Sequence, residues 1–179
     1  MSAFATAVTS FLMLRSVGEL RRALIWLLGG SLLPGWEPVV AMLPYLLLGV
    51  VVLLAAGHAL NVLQFGDEQA QQLGLAVEKW KLLIILAASL ATAAAVAFAG
   101  VIGFVGLIVP HIVRIIWGPD YRQLVFLSLF GGATLLLIAD LLARTVDAPQ
   151  VLPIGIVTAI LGAPFFLWIL RRSKAQGRW

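Results

Sequence analysis

The residues in this chain that could do chemistry are few, and they sit inside or beside long apolar runs. His58 and His111 are far apart in sequence, and neither has a carboxylate at metal-ligand spacing. Asp140 and Arg144 stand at i and i+4 near the end of an apolar stretch, where they can pair along one helix face. A carboxylate inside an apolar zone is costly unless paired or wet, so the plain reading is a structural ion pair. Arg144, nearer the surface, can also reach outward. The run GVIGFVGLIVPHIVR, from Gly100 to Arg114, spaces Gly100, Gly103 and Gly106 three apart and follows them with Pro110, His111 and Arg114. The loop NVLQFGDEQAQQLGLAVEKWK, Asn61 to Lys81, carries Asp67 and Glu68. There is no G-x-x-x-x-G-K-[ST], no H-E-x-x-H and no serine nucleophile elbow. The cysteine count is 0, which removes thiolate chemistry and disulfides. These residues assemble no active site, and neither a cofactor nor a resident metal is expected.

The elements that hold them are membrane helices. The chain is 62% hydrophobic and 11% charged, against roughly half and a quarter in a soluble domain. Its mean hydropathy is +1.07. The net charge of +4 would suit nucleic acid, but the basic residues flank apolar segments and form no stripe interleaved with aromatics, so no nucleic-acid partner is expected. A span needs about 20 apolar residues. The uncharged runs predict an all-α polytopic protein: a single transmembrane domain over 1–179 with five full spans, plus a partial one at Met1–Leu14. The predicted spans lie near 39–60, 80–98, 103–117, 122–142 and 153–170. Residues 19–28 have amphipathic helical spacing, with Leu20, Leu24 and Leu27 on one face, and are too short to span; an interfacial helix is expected there. Eight of the 12 basic residues (Lys79, Lys81, Arg114, Arg122, Arg171, Arg172, Lys174 and Arg178) fall on one side if the C-terminus is cytoplasmic, and that orientation is predicted. Arg15, Arg21, Arg22 and Arg144 fall on the other side.

Within this frame, 64–78 reads as a cytoplasmic loop in which Gly66 breaks one helix, Asp67 caps a short second one and Gly74 ends it. It is either a solvated connection or a docking helix for a cytoplasmic partner. Gly103 and Gly106 are expected to allow close packing at the start of a span, and Pro110 to loosen it. Arg114 is expected to reach headgroups or a loop carbonyl. In the last span Gly155, Gly162 and Pro164 suit either close helix packing or a moving pathway.

In order along the chain, GDEQAQQLG, GVIGFVGLIVPHIVRIIWGPDYR, GGATLLLIADLLART and LPIGIVTAILGAPFFLWIL resemble permeases of the FecCD type. These are the membrane subunits of ABC importers for iron-siderophores, haem and vitamin B12. The resemblance runs from about residue 15 to 172 and matches the C-terminal half of a ten-span permease. It implies a transport subunit rather than an enzyme, with ATP hydrolysis left to a separate cytoplasmic ABC ATPase. It also implies an extracytoplasmic substrate-binding protein, a second permease copy, membrane lipid around the spans and a bacterial inner-membrane location. By the same resemblance Gly66, Asp67, Glu68, Ala70 and Gly74 form the segment that couples to the ATPase. Arg144 meets the binding protein, and the helix at 19–28 lies beside the pathway. The alternative is a non-transporting fragment or scaffold that associates with a full permease.

Overall fold

The computed structural model describes residues 6, 17–30, 35–146 and 151–175. The fragment Met1–Leu14 lies, apart from Thr6, outside the described residues. Among the described residues there are eight helices and no strand. Helix α1 is Val17–Leu27, α2 Glu37–Ala55, α3 Gly57–Leu63, α4 Asp67–Gln72, α5 Val77–Ala99, α6 Val105–Trp117, α7 Tyr121–Thr145 and α8 Ile154–Ala175.

Four helices, α2, α5, α7 and the Ile154–Arg171 part of α8, are long and apolar enough to cross a bilayer. At 1.5 Å per residue, the 23 residues of α5 reach about 35 Å and the 25 of α7 about 37 Å, past the roughly 30 Å of a hydrocarbon core. The span expected at 103–117 is shorter than the other four. Its helix α6 has 13 residues, about 20 Å. The cause is local: Gly100 has φ +78° and Phe104 has φ +66°, so residues 100–104 run as a non-helical turn before the helix starts. Phe104 is the one described non-glycine residue at positive φ. Pro110 sits mid-helix in α6, where its ring faces the carbonyl four residues back. That residue is Gly106, whose carbonyl has no N–H donor at Pro110.

The span expected at 39–60 is built from two pieces. Pro38 and Glu37 open α2, the first with a preset φ and the second with charge that suits the helix N-terminus. At Ala56 the helix is interrupted, and the Leu60 N–H donates to the Ala56 carbonyl at 2.9 Å, so Ala56 both ends α2 and opens α3. Helix α2 packs along α5, and Gly49 makes this possible: a Cβ there would come within 2.8 Å of both the Ala87 carbonyl and the Ala91 methyl. Helix α7 packs against α2, α3, α6 and α8 and is the centre of the bundle. Its contact with α6 is the apolar cluster of Val109, Val113 and Leu124, with Val105, Tyr121, Leu127 and Leu135 around it. Gly131 lets the two axes approach, since a Cβ there would stand 2.9 Å from Val109 Cγ1.

Candidate functional site at the two ends of the bundle

One end of the bundle gathers α3, α4, the start of α5 and the 118–120 turn. Helix α4 has its termini set by two glycines. Gly66 is the N-cap at φ +100°, and Gly74 follows the helix at φ +83°. Past the last turn, the Leu75 N–H donates to the Ala70 carbonyl at 3.0 Å and the Gly74 N–H to the Gln71 carbonyl at 2.9 Å. This is the paired closure that needs a left-handed residue at Gly74. The expectation that Asp67 caps the helix is corrected. Gly66 holds the cap position with no side-chain bond, and Asp67 is the first helical residue, its carboxylate accepting from Lys81 Nζ at 2.5 Å. Glycine wins the cap because only it adopts that backbone angle without strain. Ala70 is fully buried within the chain, so it seats α4 on its neighbours and offers no surface outward. The exposed surface around α4 comes from Glu68, Gln71, Gln72, Phe65 and Leu73, the last two 61% and 69% exposed.

Beside α4, a hydrogen-bonded clamp joins α3 to the start of α7. The Asn61 amide donates to Asp120 Oδ1 at 2.6 Å, and Asn61 Oδ1 accepts the Tyr121 backbone N–H at 2.7 Å. The same Asp120 oxygen accepts the Arg122 N–H at 2.9 Å and so caps α7. The hydrogen bond from Asn61, then that from the Arg122 backbone, holds the Asp120 carboxyl below its usual value of 3.8. Gly57 brings the backbones together, since a Cβ there would lie 3.0 Å from Arg122 Cα. Arg114, expected to reach headgroups or a loop carbonyl, reaches Tyr121 instead. Its Nη2 donates to the phenol oxygen at 3.2 Å, and its guanidinium lies 5.4 Å from the ring centre. Asn61, Val62, Gln64, Phe65, Trp117 and Gln123 line an open hollow of about 460 Å³ at this end.

The other end gathers the C-terminus of α1, the 100–104 turn and the start of α8. The 19–28 segment is helical from Val17 to Leu27, starting two residues earlier and ending one earlier than expected. Its last carbonyls find partners in other elements: the Val101 N–H donates to the Trp26 carbonyl at 3.0 Å, and the Gly155 N–H to the Leu28 carbonyl at 3.0 Å. The Trp26 indole N–H donates to the Val96 carbonyl at 3.0 Å, which ties α1 to the end of α5. Gly29, Gly100 and Gly155 sit where three backbones meet, and a Cβ at Gly155 would strike the Leu28 carbonyl. Arg144 Nε donates to Asp140 Oδ2 at 2.8 Å on the last turns of α7, with the Arg144 side chain 63% exposed.

Among the described residues, the close packing expected of Gly103 and Gly106 is not present: a Cβ at either would meet nothing within 4 Å. Gly162 has the close neighbour: the Phe104 side chain occupies the space where its Cβ would be. His111, on α6, stands edge-on to Phe165 of α8 with centroids 5.9 Å apart, one residue past Pro164. Among the described residues no group of three or more His, Asp or Glu is placed to hold a metal ion.

Asn61, Asp120, Trp26 and Phe104 were not singled out by the sequence reading. Asp120 had a visible signal, an aspartate just before a long apolar run. So did Asn61, a lone amide at the end of one. Nothing local marks Trp26 or Phe104, whose roles depend on which backbone lies opposite.

The chain matches the FecCD transport family over residues 1–172. It belongs to that family. Among FecCD relatives, it is 50% identical over 170 residues to the cobalamin import system permease protein BtuC of Halobacterium salinarum, covering 95% of this chain and 46% of the relative. It is 41% identical over 158 residues to the hemin transport system permease protein HmuU of Yersinia pestis, covering 88% of this chain and 47% of the relative. A structure of an inward-facing metal-chelate type ABC transporter superposes with a TM-score of 0.80 at 31% identity, over 95% of this chain and 57% of the other. The chain thus spans about half the length of the curated FecCD relatives it matches. It is a multi-pass membrane protein with the helical fold of an ABC transporter permease.

Proposed function

We propose that this chain is a membrane permease component of an ATP-driven importer whose cargo is a metal chelate or corrinoid, the class that includes iron-siderophores, haem and vitamin B12. The observation that carries the reading is that the family match covers 1–172 without a break and the relatives it reaches are permeases for cobalamin and hemin. The geometry fits a subunit without covalent chemistry. The carboxylates of Asp120, Asp67 and Asp140 are each held in bonds near helix ends.

In this reading the α4 end faces the cytoplasm of a bacterial cell, with the C-terminus, and seats on an ABC ATPase. Gly66 and Gly74 fix the helix, Ala70 packs it inward, and Asp67 and Glu68 lie in its first turn. The opposite end faces outward, where Arg144, oriented by Asp140, meets acidic groups of a substrate-binding protein. A second permease copy completes the pathway, and lipid covers the remaining apolar faces. Transport is by alternating access, driven by an ATPase dimer that binds one permease state better than the other. Gly155, Gly162, Pro164, Pro110, His111 and Arg114 shape the helices that shift between those states, while Gly103 and Gly106 have open space where a Cβ would stand.

The test is uptake in proteoliposomes that hold the chain, its neighbouring permease segments and the ATPase that co-purifies with it, using radiolabelled cyanocobalamin and haemin as probes. ATP-dependent accumulation of either supports the reading. Accumulation driven by an ion gradient without ATPase would overturn it.

A further inference from the structure

The two ends assigned above are joined by one helix, and the join at its lower end is built from few bonds. Helix α7 begins at Tyr121, beside α3, and ends at Thr145, next to Arg144. Helix α4 follows α3 after a three-residue turn and also touches α5. Helix α3 touches both α4 and α7, so it offers a direct route by which a displacement of α4 reaches α7. The α3–α7 contact is polar at its centre. Asn61 donates to Asp120, in the turn just before α7, and accepts from the Tyr121 N–H at the start of α7. The Gly57 approach to Arg122 leaves little slack for the helices to slide. The Arg114 bond to the Tyr121 hydroxyl brings α6 into the same joint.

We infer that Asn61 and Asp120 are positioning residues that form a rigid joint, through which movement of α4 is passed along α7 to the Arg144 end. This rests on the permease reading, and adds to it which bonds carry the motion. A hydrogen-bonded joint suits the task because it is directional: the amide must face both partners at once, so α3 and α7 turn together or the bonds break. Coupling between the two ends is then reciprocal, and a partner bound at Arg144 biases α4 as much as the reverse.

The pair permits an exchange test. In Asn61→Asp the Tyr121 bond survives, but a carboxylate faces the Asp120 carboxylate and the joint opens. Adding Asp120→Asn restores a donor to the pair, and its amide oxygen still caps the Arg122 N–H. The chain has no cysteine, so labels go in directly. Nitroxides at Gln72→Cys and Leu86→Cys report α4 against α5; nitroxides at Thr145→Cys and Leu86→Cys report the far end of α7 against α5. Each pair is measured in the complex with its ATPase, before and after trapping with ATP and vanadate.

In the otherwise unsubstituted protein both distances are expected to shift. In Asn61→Asp the α4 shift is retained and the α7 shift is lost; in Asn61→Asp with Asp120→Asn both return. Should Asn61→Asp fail to fold, Asn61→Ala opens the joint without setting two carboxylates together, and the same loss is expected. An α7 shift that survives Asn61→Asp or Asn61→Ala overturns the inference, as does an exchange variant that folds and does not recover it. A complex in which neither distance responds to ATP, with Asn61 and Asp120 intact, overturns the permease reading and the joint together.

Discussion

Asp120 serves two elements with one oxygen, accepting from Asn61 on α3 and from the Arg122 N–H of α7. Its carboxyl is held below 3.8 by these bonds, Asn61 first. A depressed carboxyl contributes stability that is present above the unfolded pKa and lost as pH falls through the folded value. Thermal unfolding in detergent should therefore show a constant contribution from Asp120 between pH 8 and pH 5, which is lost only as pH falls below about 4. Asp120→Asn should flatten that acid limb, which a pH series of melting curves reads directly. The Asp140–Arg144 pair is an exposed i, i+4 bond, and such pairs contribute little to stability. Asp140→Asn is expected to leave the melting temperature nearly unchanged, whereas Arg144→Glu weakens docking of the substrate-binding protein, measured by surface plasmon resonance on the complex in nanodiscs. The Asp140–Arg144 pair was legible in the sequence because both partners lie on one helix. The Asn61–Asp120 bond was not, since 59 residues separate its partners and only the fold brings them together.

Among the elements, α4 and the 100–104 turn depend on special backbone angles. Gly74 at φ +83° closes α4, and Gly74→Ala should cost roughly 1–2 kcal/mol of local stability. Hydrogen exchange of the 66–75 amides measures this, with faster exchange there and none at α7. At the other end, Gly162 accommodates the Phe104 side chain. Gly162→Val is expected to displace that ring and destabilise by about 1–3 kcal/mol, while Gly103→Ala stays within about 0.5 kcal/mol. Equal melting temperatures for the two variants would refute the packing described here. Glycine spacing in the sequence pointed to Gly103 and Gly106 as packing residues. It could not separate a glycine required by a neighbour from one lying in open space, because that difference lies in the other helix. The element boundaries fared better: run lengths and charges placed α2, α5, α7 and α8 close to where they stand. Only α6 came out short, since Phe104 adopts a left-handed conformation that no hydropathy run reveals.

At the scale of the whole molecule, most large apolar side chains face outward. Leu137, Ile115, Leu48 and Ile160 are 59–71% exposed, as expected for helices covered by lipid and by further permease surface. Composition and motif order made the membrane class and the family legible, because both are written in long stretches of chain. The residues proposed to meet partners were legible only as positions. The structure then sorted them, turning Ala70 inward and leaving Glu68 and Leu73 at the surface around α4. The central claim is that this surface seats an ATPase, and recovery of that ATPase with the affinity-tagged chain from detergent-solubilised native membranes tests it most directly. A P-loop ATPase should co-purify with the unsubstituted chain and be lost with Glu68→Arg plus Leu73→Arg, while the melting temperature of the membrane helices is unchanged. Equal recovery of the ATPase with both chains would contradict the account.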